Sequence, residues 1–168
     1  MKALVVYESM FGNTAAIARA VADALGSHFE VTLAETRAVP RAIGMDLVVV
    51  GGPTHAFGMT RPGTRADAVR QGSAASADFG LREWLDGCPT LTGTPAAAFD
   101  TRMSSPLFGS AAHKAHRRLR RLGCVTVAPP QSFRVAGTSG PLLDGERERA
   151  GKWAESVAQA ALAATHNA

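Results

Sequence analysis

Short apolar runs alternate with stretches of helical period along this chain. Residues 3–7 read as a buried strand. From 13 to 25 the period lengthens, so that Ile17, Val21, Ala24 and Leu25 share one helical face until Gly26 stops it. Residues 29–33 alternate apolar and polar, as an edge strand does, and a weak segment with one helical turn about 40–43 follows. Residues 47–50 are continuously apolar, the pattern of a strand covered on both faces, and end in Gly51-Gly52-Pro53. Between 58 and 80, Gly58, Pro62, Gly63, Gly72 and Gly80 break up small polar residues. We read a long connection with one helical turn about 65–69, of the kind that usually carries function. A short helix at 81–85 and a strand at 95–99 come next. Residues 110–122 form a helix with Ala111, Ala115, Leu119 and Leu122 on its inner face. A last strand starts at 125–127 and is extended by 133–135 past Pro129-Pro130. A final helix spans 146–164, with Trp153, Val157 and Ala161 facing in.

This β-α-β-(α)-β-α-β-α-β-α order predicts an α/β fold: a parallel sheet with right-handed crossovers and helices on both faces. Nothing divides the 168 residues, so one domain covering 1–168 is expected. Polar, glycine-containing loops follow the first, third and fourth strands, at the carboxyl ends where such sheets bind ligands.

Composition adds limits. A 46% hydrophobic and 19% charged chain is ordinary for a soluble domain. The first apolar run is too short for a signal segment, and no stretch approaches the roughly 20 apolar residues of a membrane span, so a cytoplasmic protein with no membrane role is expected. Cys88 and Cys124, distant in sequence, read as reduced thiols rather than metal or redox pairs. Asp23, His28 and His166 show no metal spacing, and Trp84 and Trp153 sit at core-like positions. The net charge is +4 at pI 9.7, and much of it lies in one helix with His113, Lys114, His116, Arg117, Arg118, Arg120 and Arg121. That face is either a solvated amphipathic surface or a docking site for an acidic partner. No aromatic interleaving points to nucleic acid.

Three loops carry the candidate chemistry. In Ser9-Met10-Phe11-Gly12-Asn13-Thr14, hydroxyl and amide side chains surround a glycine that allows close backbone approach, and the following helix start aims free N–H groups at the loop. A phosphate satisfies these groups; an ordinary helix cap by Ser9 or Asn13 is the alternative. The chain has neither a P-loop nor a dinucleotide glycine fingerprint. The second loop, Gly51 to Met59, offers His55 and Phe57 as flat neighbours for a flat ring and Thr54 for its polar edge, against a plain Gly-Pro turn. The third, Asp100 to Ser110, is long and polar, or is a connector in which Ser110 caps the next helix. A phosphorylated receiver domain shares the topology, but it needs an acceptor Asp where this chain has Gly51-Gly52-Pro53.

Ser9-Met10-Phe11-Gly12-Asn13-Thr14, Gly52-Pro53-Thr54-His55 and the final-helix segment beginning Glu146-Arg147-Glu148 together resemble the flavodoxin family in its short-chain form, over essentially the whole chain. The resemblance implies a doubly wound flavodoxin-like three-layer sandwich with a five-stranded parallel sheet of order 2-1-3-4-5. It implies flavin mononucleotide (FMN) as cofactor, with Ser9, Met10, Phe11, Gly12, Asn13 and Thr14 about the phosphate. Pro53, Thr54, His55, Ala56, Phe57 and Gly58 would lie on one side of the ring, and Asp100, Thr101, Arg102 and Gly109 on the other. The implied function is flavin electron transfer to a redox partner protein, with no catalytic side chain and no metal. The alternatives are a flavoenzyme of the NAD(P)H:quinone reductase or nitroreductase kind and a flavin-free interaction module. Two departures stand out: the third loop has no Tyr or Trp, and the chain is basic. With Arg61, Arg65, Arg102 and His55 set against Asp67 and Asp100 around the ring, a raised flavin potential is expected.

Overall fold

The computed structural model describes residues 1–104 and 109–166. A 7-stranded sheet forms the middle layer. Its strands are β1 (Lys2–Tyr7), β2 (Glu30–Glu35), β3 (Leu47–His55), β4 (Gly58–Met59), β5 (Pro95–Arg102), β6 (Val125–Thr126) and β7 (Gln131–Arg134). The helices are α1 (Asn13–Leu25), α2 (Pro62–Arg70), α3 (Leu81–Gly87), α4 (Ala111–Arg121) and α5 (Glu146–His166). The spatial order is β2-β1-β3-β5-β6, all parallel, with β7 also parallel to β5 and β4 folded back antiparallel on β3. Counted by main strands this is the expected order, and the split last strand is the one anticipated across Pro129-Pro130.

Both faces of the central strands β1, β3 and β5 are buried, and their alternation feeds two cores. Ala3, Val5, Leu47, Val49, Ala97 and Phe99 face α1 and α5. Leu4, Val6, Val48, Val50, Ala96 and Ala98 face α3 and α4. In the first core Phe99, Phe133 and Trp153 meet edge to face at 6.0 Å. Gly51 makes room for this trio, because a Cβ there would fall inside the Phe99 ring. Trp84 is buried in the second core, its indole N–H donating to the Pro40 carbonyl at 3.0 Å.

Three expectations are corrected. The weak segment forms a 3-10 turn at Thr36–Ala38 rather than a turn about 40–43. β3 does not stop at Gly51: Gly52 and Pro53 stay paired with Asp100 and Thr101, and the strand runs to His55 before turning back as β4. The connection after β4 holds a nine-residue helix, α2, where a single turn was expected. Pro62 at its first position costs no hydrogen bond there, and the Thr64 hydroxyl accepts from the Arg61 N–H at 2.9 Å.

Candidate functional site

At the carboxyl ends of β1, β3 and β5 the three predicted loops converge on one cavity of about 260 Å³. Ser9, Met10, Phe11, Asn13 and Thr14 form its floor; Pro53, Thr54, His55 and Ala56 form one side; Thr101, Arg102 and Met103 continue it. The first loop is curled by its own serine, whose Oγ accepts from the N–H of Gly12 at 3.0 Å and of Ala15 at 3.3 Å. Gly12 turns the chain into α1 with φ of 90°, a conformation that suits glycine. It opens onto an adjoining groove beside the 141–148 segment rather than onto the main cavity. The Thr14 and Thr101 hydroxyls bond to each other at 2.7 Å, tying the first loop to the third. Asn13 donates to the Ser139 carbonyl at 3.1 Å, so the loop before α5 closes over the start of α1.

Asp100 lies behind the cavity rather than in its wall. Fully buried, its Oδ2 accepts from the hydroxyls of Ser110 at 2.6 Å and Thr54 at 2.9 Å and from the Ala112 N–H at 3.0 Å. A carboxylate is well placed there, at the positive end of α4. Thr54 in turn accepts from the Ala111 N–H at 2.9 Å. This bracket fixes the Thr54 hydroxyl, and Ser110 caps α4 as the alternative reading held, accepting from the His113 N–H at 3.2 Å.

Of the other predicted residues, Phe57 sits at the tip of the β3–β4 hairpin with φ of 77° and is 57% exposed, outside the cavity lining. Gly58 packs beneath the Lys114 side chain, and Gly109 lies against the Phe57 carbonyl. Residues 105–108 of the third loop lie outside the described residues.

The sequence reading missed one wall. Thr64, Asp67, Ala68 and Gln71 of the α2 segment line the cavity, with Val135 and Thr138 also in the lining. The period-3.6 signal fails on α2 because its inward side is a buried arginine and a single alanine, Ala68. The available signal was Arg61-Pro62-Gly63-Thr64, a helix-start pattern with Pro first and a hydroxyl two positions on.

The expected ring of positive charge is also corrected. Arg65 is wholly buried and does not line the cavity; it pairs with Glu83 at 2.9 Å. Burial lowers the His55 imidazole below its usual range, and the neighbouring Arg65 charge lowers it further, so His55 is a neutral wall near pH 7. Arg102 remains at the cavity.

The donor set suits a phosphorylated ligand with a flat apolar part. Hydroxyls of Ser9 and Thr14 line one end of the cleft at the start of α1, where the Ala15 N–H is already given to Ser9 and the Ala16 N–H to the Gly12 carbonyl. Met10, Pro53, Ala56, Ala68, Met103 and Val135 supply apolar wall. Among the described residues no group of three His, Cys, Asp or Glu side chains could hold a metal ion, and no helix is long and apolar enough to cross a membrane. Cys124 is buried and Cys88 half-buried; burial raises both thiols to about 11.

No family model matches the chain, and no curated protein does. Solved structures do. Flavodoxin 1 from Bacillus cereus, in its oxidised form, is 20% identical, with a TM-score of 0.70 over 95% of this chain and 98% of that one. A flavodoxin, WrbA-like protein from Agrobacterium tumefaciens is 18% identical, with a TM-score of 0.61 over 96% and 98%. The flavodiiron protein from Giardia intestinalis is 20% identical, with a TM-score of 0.61 over 99% of this chain and 37% of that one. The fold of this chain is therefore flavodoxin-like.

Proposed function

We propose that the chain binds FMN in this cleft and works as a redox protein. One observation carries the reading: the loops after β1, β3 and β5 close on a single cavity through the Thr14–Thr101 hydroxyl pair at 2.7 Å. When bound, FMN supplies electron transfer that no side chain of this chain supplies. The chain's own residues hold and orient it. Ser9 and Thr14 and the amides at the start of α1 receive the phosphate. The Thr54 hydroxyl, its proton given to Asp100 and one lone pair to the Ala111 N–H, keeps one acceptor position for the ring's polar edge. Neutral His55, Ala56 and Met103 exclude water from its faces. Titration with FMN, followed by visible absorbance and with riboflavin as control, tests the reading. Saturable binding that prefers FMN supports it, and no spectral change with FMN overturns it.

A second reading, an NAD(P)H-dependent quinone reductase or nitroreductase, is favoured by the α2 wall: Thr64, Asp67 and Gln71 give the cleft a polar side that the three loops do not. Steady-state NAD(P)H oxidation with a quinone separates an enzyme from a carrier. For the carrier, the partner's chemistry follows from α4. His113, Arg117, Arg120 and Arg121 are exposed on it. Among the described residues none of Lys114, Arg117, Arg120 and Arg121 makes an ion pair, whereas Arg118 pairs with Asp86. An acidic redox protein complements that face.

A further inference from the structure

α2 has little apolar reason to stay where it is. Its buried residues are Arg65 and Ala68, and Val69 is 40% exposed. What holds it is a polar cluster built around a guanidinium with no exposure. Arg65 donates through Nε to the Ala77 carbonyl at 2.8 Å, through Nη1 to the Thr60 hydroxyl at 2.8 Å and through Nη2 to Glu83 at 2.9 Å. Thr60 passes the connection on, donating to Glu8 Oε1 at 2.5 Å, and the second Glu8 oxygen accepts from the Leu81 N–H at 2.7 Å. Gly80 is required beside this cluster, since a Cβ there would collide with the Glu8 carboxylate and the Arg65 guanidinium. The far end of α2 is tied separately: the buried Ser73 hydroxyl donates to the Met10 carbonyl at 2.5 Å.

Glu8 is the residue before Ser9, and Met10 lies within the 9–14 loop. Both ends of the α2 segment are thus fastened to the loop proposed to take the phosphate. We infer that Arg65 is a positioning residue that sets α2 as a wall of the cleft and couples it to the 9–14 loop, so that a ligand seated on that loop also orders α2. The inference rests on the FMN reading. Arg65 does not line the cavity, so its effect on the cleft is transmitted and not direct; replacing it leaves Glu83 without its cation and Glu8 without the charge that reaches it through Thr60. The surroundings of Glu8 agree: burial raises its carboxyl against the opposing Thr60 and Leu81 hydrogen bonds and the Arg65 charge. Burial also raises the Glu83 carboxyl, but the Arg65 hydrogen bond and charge, together with the backbone N–H groups of Glu83 and Gly80, outweigh it and hold that group low.

Hydrogen exchange on the full chain, with and without saturating FMN, tests the coupling. FMN is expected to slow exchange in 62–71 as well as in 9–14. In Arg65→Met, protection of 9–14 persists, protection of 62–71 is lost, and FMN affinity falls roughly tenfold, within the usual range for coupled sites. Arg65→Lys, which keeps the charge without the fork, restores part of it. Ser73→Ala gives the same pattern through the other tie and carries the test if Arg65→Met does not fold. Protection confined to 9–14 in the unmodified chain overturns the coupling and leaves the FMN reading standing. Absence of protection in 9–14 overturns both.

Discussion

Thr14→Val removes one hydroxyl where the first and third loops of the cleft are tied together, while keeping the side chain's volume and branching. In the protein alone it breaks the 2.7 Å bond to Thr101, and both residues are buried, at 1% and 4% exposure. Loss of that bond costs about 1 kcal/mol, rising toward about 3 kcal/mol if the Thr101 hydroxyl is left without a partner. The effect on ligand binding is separable. A hydroxyl that donates to a phosphate dianion is worth about 1.5–3 kcal/mol, or roughly a 12- to 140-fold change in Kd at about 1.4 kcal/mol per factor of ten. Calorimetric or absorbance titration should therefore show FMN affinity falling by that factor while riboflavin affinity, which lacks the phosphate term, changes little. Thr101→Val and the double variant complete a cycle. A hydroxyl pair that acts together gives a double variant less impaired than the sum of the singles. Equal losses for FMN and riboflavin would mean that Thr14 shapes the cleft without touching the phosphate. Unchanged FMN affinity would refute the placement of the phosphate on this loop.

Three further outcomes are expected. Gly51→Ala drives a methyl into the Phe99 ring and should cost about 1–3 kcal/mol of stability as overpacking, read by urea unfolding. Arg117→Glu, Arg120→Glu and Arg121→Glu together should leave the melting temperature nearly unchanged and slow reaction with an acidic redox protein at low salt, an effect that vanishes as salt is added; a collapsed fold would show the face to be paired or packed. Glu146 is held below the usual carboxylate range first by the Arg149 hydrogen bond, then by the Arg134 N–H and both charges, against its own burial. The unfolded state therefore binds a proton first as pH falls, and the stability Glu146 contributes is present above about pH 4.3 and lost below it. Glu146→Gln should flatten that part of the acid-unfolding profile, and an unchanged profile would remove Glu146 from the account.

The legible parts of this fold were those where apolar burial wrote a period into the chain. Val48, Val49 and Val50, or Ile17 and Val21, face cores on the sides their spacing implies. The illegible parts are held by polar groups that carry no period. α2 was hidden because Arg65 sits where a leucine would have marked the inward face, and the partners that make such burial tolerable, Glu83, Thr60 and the Ala77 carbonyl, come from distant positions. The place of Asp100 at the start of α4 was hidden for a related reason. From sequence it is one acidic residue in a polar loop, and only the strand register turns it toward the start of α4. The curl of the 9–14 loop was legible because its bonds are local: the Ser9 hydroxyl accepts from the Gly12 and Ala15 N–H groups within one turn, as the helix-cap alternative expects.

The break between β6 and β7 bears on how the molecule behaves in a crowd. Along the outer rim of the sheet, β6 pairs with Pro95 and Ala96, β7 pairs with Phe99 to Arg102, and Pro129 and Pro130 fall between them. An uninterrupted strand there would offer a continuous ladder of amides and carbonyls to the rim of any neighbouring sheet. Two consecutive prolines delete two donors and force the chain out of line, and beyond them the outward groups of β7 are taken within the molecule: the Arg134 N–H donates to Glu146, its carbonyl accepts from the Leu143 N–H, and the Ser132 carbonyl accepts from Arg149. Pro129→Thr with Pro130→Thr would restore the missing donors. Such a variant gains little within one molecule, whose own hydrogen bonds are already made, and opens a rim to other molecules only on the β6 side, because 142–149 covers β7.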